Sequence, residues 1–312
     1  MIRGLIATGA TDGGPLVAVA ELPEPTAAAD EAVVAVEASS VNHGEVEWLT
    51  QAAPGWRPGW DVAGRVLRAA QDGSGPPAGT RVAGFLPQAA WAERTLVPGL
   101  RLGALPEELP AATAAAIPVA GLTALRALRE AGALRAGSRV LVTGAAGAIG
   151  RIAVQLAARA GAEVTALVRA GGHAEALTAL GAAAVVEGTG ALDGSFDAIL
   201  DGVAGPVLGA CLPAVAPGGS VVLYGDASHE PTTFASGELF LTAPGARICA
   251  LRMDASPPQD GFAADLSELA ALVRDGVLDV EAADPVDWRE AGDAIAASRS
   301  RRPARKPVLV WS

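Results

Sequence analysis

The stretch RVLVTGAAGAIGRIAVQL, residues 139–156, constrains this chain more than any other. A β-branched apolar run ends in a turn holding Gly144, Gly147 and Gly150, then passes directly into an amphipathic helix, as the opening half of a βαβ unit does. Glycine there permits backbone angles closed to other residues. The missing side chains let a pyrophosphate approach the backbone N–H groups at the helix N-terminus. The turn residues Gly144, Ala145, Ala146, Gly147, Ala148, Ile149 and Gly150 are therefore the candidate dinucleotide site, the alternative being a tight turn with no ligand. The spacing is G-x-x-G-x-x-G, which leaves Ala146 where the usual fingerprint has its second glycine; alanine is small enough to keep the approach open.

The residues that follow repeat the alternation. EVTALV, HAEALTALGA, AAVVEG, FDAILDGV, PVLGACLPAV and SVVLYG read as strand and helix in turn, which specifies an α/β, doubly wound, mostly parallel sheet covered on both faces. The first hundred or so residues differ. EAVVAVEAS, DVAGRVLRAA, TRVAGFL and WAERTLV are short β segments broken by Gly and Pro. AATAAAIPVAGLTALRALREAG then turns helical, with Pro118 interrupting it. After Thr242 come a strand, ARICALR, helices at DLSELAALVRDG and DWREAGDAIAASRS, and a last strand, KPVLVWS, able to rejoin the N-terminal β domain. The expected division is 1–117 for the first part of the β-rich domain, 118–246 for the dinucleotide domain, and 247–312 for an edge strand, helices and the return.

The length of 312 residues suits two domains, each with its own core. Hydrophobic residues make up 51% and charged ones 18%, too apolar for disorder, and no uninterrupted apolar run is long enough to span a bilayer. The N-terminus does not read as a signal peptide, so the cytoplasm is the expected location. Lys plus Arg number 23 against 34 for Asp plus Glu, and the net charge of −11 argues against nucleic acid as a partner. Cys211 and Cys249 have neither the number nor the spacing of a disulfide framework or structural zinc site, and read as small core residues. The richness in Ala, Gly and Arg reflects a GC-rich genome.

Cofactor preference is read at the end of the second strand, where an NAD enzyme carries Asp or Glu. Here EVTALV runs into Arg169 and no carboxylate holds that position. Arg169 can pair with a 2′-phosphate, which points to NADPH; the alternative is a solvated surface arginine. His173 either adds a contact or is merely exposed.

With that fingerprint in place, five motifs in order resemble the medium-chain dehydrogenase/reductase superfamily, specifically its zinc-independent quinone oxidoreductase and enoyl reductase branch. They are VNHGEVEWL, matching V-N-x-x-D with Glu45 for Asp; PGWDVAGRV, matching P-G-x-D-x-A-G-x-V; PVAGLTAL; GAAGAIG; and RKPVLVW. The resemblance implies a GroES-like β-barrel built from both chain ends, with the Rossmann domain inserted between them. It also implies a homodimer formed by pairing edge strands, for which ARICALR is the nominee. Zinc-dependent relatives carry an early catalytic Cys and a Gly-His-Glu motif. This chain has Gly59, Trp60 and Asp61 there and no cysteine before residue 211, so no metal of that kind is expected.

The implied chemistry is hydride transfer from a nicotinamide to the β-carbon of an enone, quinone or enoyl thioester, a small-molecule substrate. By resemblance Asn42 and Thr123 line the nicotinamide or substrate, and Gly225 and Lys306 lie close to the cofactor. Each has a plainer reading: Asn42 as a turn cap, Thr123 as a simple helix residue, Lys306 as an exposed lysine. His43 is a candidate proton donor, or a surface or packing histidine; His229 is weaker, Tyr224 reads as packing, and solvent can also deliver the proton. Trp48, Trp56, Trp60 and Trp91 are aromatic walls or core. Two rival functions stand beside the reductase: a non-redox cyclase or isomerase handling a polyketide-like intermediate on the same scaffold, and an NADPH-binding protein with little turnover.

Overall fold

The computed structural model describes residues 1–10, 13–171, 173–192, 194–253, 261–299 and 305–311. In chain order the first segment holds β1 (Ile2–Ala7), β2 (Val17–Leu22), β3 (Glu31–Ser40), α1 (His43–Leu49), β4 (Asp61–Arg68), β5 (Arg81–Phe85), β6 (Arg94–Pro98), β7 (Leu102–Ala104), α2 (Ala111–Ala115) and α3 (Pro118–Ala131). The middle holds β8 (Arg139–Thr143), α4 (Ala148–Arg159), β9 (Glu163–Val168), α5 (Ala174–Ala179), β10 (Ala184–Glu187), β11 (Phe196–Asp201), α6 (Gly205–Cys211), β12 (Val215–Leu223), α7 (Ser236–Thr242) and β13 (Arg247–Ala250). The last part holds α8 (Phe262–Arg274), β14 (Val286–Asp287), α9 (Ala291–Arg299) and β15 (Val308–Val310). The chain divides into two compact units, Met1–Leu122 with Asp254–Ser312, and Thr123–Met253. No helix among the described residues is long and apolar enough to cross a membrane.

The first unit is built on β3. One of its edges pairs with β4; the other is shared, with β6 against its first half and β15 against its second, Val308 facing Ser40. The last strand of the chain thus closes onto one of the first, in a seven-stranded sheet ordered β14-β15-β3-β4-β5-β7 with β6 on β3. Register shifts along β3 at Val33/Val34 and Val36/Ala38 bend it, as a strand serving three partners must bend. One face buries Val34, Val36, Val62, Val66, Val82 and Val97. Leu5, Val46, Leu49, Trp91, Ile295 and Trp288 form a second cluster, in which Trp288 stacks on Trp311 at 4.5 Å. The β1–β2 hairpin, which sequence patterning did not reveal, is stitched on by the backbone bonds of Leu5 and Glu93.

Gly59 cannot be another residue. Its φ is +115°, and a Cβ would lie 2.3 Å from the Trp91 nitrogen. That close approach lets the PGWD turn deliver Trp60 and Asp61 to the start of β4.

The second unit carries a six-stranded, wholly parallel sheet, β10-β9-β8-β11-β12-β13. Strand order reverses between β8 and β11, and the apolar strands read as continuous runs because both faces are covered. Leu141, Ile199, Phe196, Val221 and Cys211 form one core cluster there. Pro118 does interrupt the helical run: it opens α3, its missing N–H falling in the first turn where no bond is lost. The segment starting at 247 opens with β13, which is one of the two edge strands of this sheet, paired to β12 from Ser220–Arg247 to Leu223–Ala250.

Candidate active site

In the first unit, β3 ends at Ser40 and α1 begins at His43, with Asn42 in extended geometry as the N-cap between them. The V-N-x-x-E sequence closes a capping bond, in which the Asn42 backbone N–H donates to Glu45 Oε2 at 3.1 Å. The Asn42 side chain faces the Glu45 backbone N–H to complete the capping box, and it also points into a buried polar cluster. Its Nδ2 donates to Asp61 Oδ2 at 2.9 Å. Lys306 Nζ, brought in just before β15, donates to Asn42 Oδ1 and to Asp61 Oδ2, each at 2.9 Å. Ser40 Oγ donates to the same Asp61 oxygen. The other oxygen, Oδ1, accepts the Val119 backbone N–H at 2.7 Å, holding the start of α3. Lys306 is only 5% exposed and Asp61 fully buried, so the exposed-lysine reading is corrected: the strand pairing of β15 with β3 carries Lys306 inward.

Glu45 is a second carboxyl in this cluster and is completely buried. Burial pushes it up to about 8, with the charge of Asp61 adding to the effect; the Asn42 and Trp60 backbone N–H groups and Lys306 pull the other way and lose. Beside the Lys306–Asp61 ion pair the cluster thus holds a carboxyl that burial pushes toward its protonated form.

Outside this cluster, His43 is about a third exposed, its Nε2 2.9 Å from Glu47 Oε1 one helical turn on. Trp60 packs edge to face with the exposed Trp48, ring centres 5.0 Å apart, and the far end of its ring lies against Gly44. Trp91 is core, and Trp56 donates its ring N–H to Gln88.

In the second unit, β8 delivers Thr143 to the glycine turn. Gly144 has φ +59°, Gly147 caps α4 in extended geometry, and Gly147 and Ala148 are exposed with Ala146 and Ile149 half-buried. Gly150 packs where a Cβ would fall 2.6 Å from the Gly144 carbonyl oxygen. The cradle is thus shaped by glycine where backbone meets backbone, and Ala145, buried, faces the core. Its exposed rim, at the N-terminus of a twelve-residue helix, suits a diphosphate.

Sequence reasoning missed what holds that turn. Thr143 Oγ1 donates to Asp201 Oδ1 at 2.5 Å and accepts the Gly202 N–H, while Asp201 Oδ2 accepts the Ala204 N–H. Tyr224 donates its hydroxyl to the Thr143 carbonyl at 3.3 Å. Burial raises the Asp201 carboxyl and the Tyr224 hydroxyl above their ordinary ranges. The signal was present in the D-G-V-A-G run after a predicted strand, since a carboxylate at a buried strand end must find donors.

Gly225 is exposed at the end of β12, where a Cβ would meet the Gly202 carbonyl oxygen at 2.8 Å. Thr123 is buried on α3. Arg169 is exposed at the end of β9; the neighbouring strand ends at Glu187, whose Oε1 accepts the Gly171 N–H at 3.4 Å. His173 caps α5 by position without a side-chain bond, and His229 is exposed with φ +55°. Among the described residues no group of three or more His, Cys, Asp or Glu side chains is placed to hold a metal ion.

The buried acid gives a pH signature with a definite sign. Because the folded state raises Glu45 from 4.5 to about 8, its contribution to stability is complete below pH 4.5 and is lost as the pH climbs to 8. Glu45→Gln keeps an oxygen for the Asn42 N–H and cannot ionise. Urea midpoints of the two proteins at pH 5, 7 and 9 are expected to shift steadily in favour of the variant, by roughly several kcal/mol over the range. A difference independent of pH would show that Glu45 stays ionised.

Comparison with known proteins fits this geometry. A family model described as a zinc-binding dehydrogenase matches residues 180–309. The spectinabilin polyketide synthase system protein NorB of Streptomyces orinoci is 33% identical over 290 residues, covering 88% of this chain and 13% of that protein. The chloroplast envelope quinone oxidoreductase homolog of Arabidopsis thaliana is 35% identical over 163 residues, covering 47% of this chain and 49% of that protein. The chain thus spans half or less of the length of these curated relatives. The quinone oxidoreductase of Pseudomonas syringae superposes with a TM-score of 0.86 at 23% identity, with both chains fully covered. Mycobacterial Rv1454c, solved in complex with NADPH, also gives 0.86, at 22% identity, again with both chains fully covered. Residues 180–309 thus match a zinc-binding dehydrogenase family model, most of the chain is similar to part of a polyketide synthase protein, and the two units have the fold of the solved quinone oxidoreductases.

Proposed function

We propose that the chain is an NADPH-dependent oxidoreductase that reduces an activated C=C bond or a quinone without zinc, in the cytoplasm. The observation that carries this is the open glycine cradle at Gly144–Gly150, braced by Thr143, Asp201 and Tyr224 and aimed by the N-terminus of α4. NADPH, when bound, supplies the hydride. Backbone N–H groups of the cradle would hold its diphosphate, Arg169 would pair with the 2′-phosphate, and bare Gly225 would let the cofactor approach. Asn42 donates to the oxygen on which negative charge develops as the substrate is reduced. His43, oriented by Glu47, or solvent returns the proton.

The absence of zinc rests on chemistry. Trp60 stands where a zinc-dependent relative has its histidine, and a tryptophan has no lone pair to give. The first cysteine, Cys211, is buried on α6 and pushed up to about 12, a neutral thiol rather than a thiolate ligand.

The polyketide synthase proteins among the relatives favour an enoyl thioester or similar acceptor. They also keep the non-redox cyclase reading in play. Following NADPH absorbance against quinones, enones and an enoyl thioester separates the two: accelerated oxidation by at least one acceptor is expected. Tight cofactor binding with no accelerated oxidation would overturn the reductase, and product of unchanged oxidation state would install the cyclase.

Arg169→Ala is expected to weaken NADPH about ten- to hundredfold, ~1.4–2.8 kcal/mol, and NADH by less than threefold, read by calorimetry. Equal losses would remove Arg169 from the 2′-phosphate.

We further propose a homodimer across β13. Among the described residues it is one of the two edges of the six-stranded sheet, with Ile248 exposed on it, and the preceding α7 exposes Phe240 and Leu241 at 80% and 79%. Sedimentation is expected to show a dimer that Ile248→Pro, which removes an edge N–H, converts to monomer. A wild-type monomer at ~10 μM would refute the pairing, since obligate interfaces are tighter than that.

A further inference from the structure

Of the 23 Lys and Arg residues 22 are arginine, so Lys306 is the only lysine in the chain. Asn42 is the only asparagine. These two singular residues, 264 positions apart, touch: Lys306 Nζ donates to Asn42 Oδ1. A chain that draws every other cation from arginine has a lysine where arginine does not serve. An ammonium is compact and carries three donors, whereas a guanidinium would bring five donors in a rigid plane into a buried space.

An asparagine amide turned end for end has nearly the same shape, so packing does not choose between its two orientations; hydrogen bonding does. Lys306 has only donors. Asp61, ionised beside it, has only acceptors. The Asn42 oxygen must therefore face Lys306 and its nitrogen must face Asp61, which is the arrangement found, both contacts at 2.9 Å. Asp61 takes one of the two amide hydrogens. The other remains to be donated.

We infer that Lys306 is a positioning residue for Asn42: paired with Asp61, it locks the amide so that its second N–H is presented to the substrate oxygen. This rests on the reading of Asn42 given under Proposed function, and it moves Lys306 from cofactor contact to support of the residue that meets substrate. Two of its ammonium hydrogens are already taken by Asn42 and Asp61, and it is almost wholly shielded from solvent. The linkage is electrostatic as well as geometric, because a cation on the amide oxygen polarises the N–H bonds at the other end and strengthens them as donors.

The singular residues make the test direct. Labelling with side-chain ¹⁵N-asparagine yields one amide signal for the whole chain. In the wild type its two hydrogens are expected to be widely separated and slow to exchange with solvent. In Lys306→Met they should move together and exchange at least tenfold faster. NADPH affinity by calorimetry should stay within twofold, while kcat with the best acceptor falls at least tenfold.

Lys306→Met leaves Asp61 buried and unpaired, so the double variant Lys306→Met/Asp61→Asn, which removes both charges, is the second arm. It should recover the melting temperature without recovering the rate or the wild-type amide signal. Recovery of rate along with stability would make the pair merely structural and overturn the inference. So would tenfold weaker NADPH binding with kcat retained, which would return Lys306 to the cofactor. Should the wild type reduce no acceptor, the proposed function falls, while the amide signal still decides whether Lys306 holds Asn42.

Discussion

A carboxylate with no access to water must have its oxygens filled by donors, and Asp61 is such a carboxylate. It gathers four donors from three separate pieces of chain: Ser40 at the end of β3 and Asn42 at the cap of α1, Val119 in the first turn of α3, and Lys306 at the entry to β15. Each would otherwise be a loosely held terminus. Meeting the needs of one buried charge therefore fixes where a strand stops, where two helices start, and where the end of the chain comes back to its beginning. Removal of one partner from such a pair typically costs about 3–5 kcal/mol, because the remaining charge is stranded. The site is thus an outgrowth of the same interaction that joins the two ends of the chain.

The second unit solves a similar problem without a cation. Asp201, at the end of β11, is held by a hydroxyl and by backbone N–H groups, and burial raises its carboxyl. Thr143 stands at the centre: it donates to Asp201, accepts from Gly202 and offers its carbonyl to Tyr224. A glycine turn is flexible when left alone, since glycine loses the most conformational freedom on folding. The Thr143 contacts tether it from the end of the neighbouring β11 and from Tyr224, just past β12. The openness of the cradle and its rigidity come from different residues.

Much of this was legible in the sequence because period and punctuation are local. The alternation after residue 138 could only be a parallel sheet with crossover helices, and GAAGAIG could only be its first turn. Gly147 was singled out by the glycine turn itself, Asn42 and Lys306 by motif order. What could not be read was pairing across long separations. Nothing near residue 306 says that its ammonium meets residue 42, and nothing near residue 201 says that its carboxylate braces residue 143. The β1–β2 hairpin escaped for a related reason: VAVAEL alternates, but half of it lies exposed, so its apolar pattern is weak. The rarity of lysine and asparagine was visible throughout, and became meaningful only once the two side chains were seen to touch.

Glu45 shows how one extra methylene alters the electrostatics of such a site. At this place the motif that the sequence resembles has an aspartate, and the longer glutamate reaches back to the Asn42 N–H at 3.1 Å to close the helix cap. It brings a second carboxyl next to Asp61 with no second cation to match it. Two adjacent anions sharing one lysine in a water-free space would repel each other and loosen the grip of both on Asn42. The proton that burial keeps on Glu45 removes that conflict. The cap is kept, the field at the Asn42 amide remains that of a single Lys306–Asp61 pair, and the direction in which that amide points is still set by one donor and one acceptor.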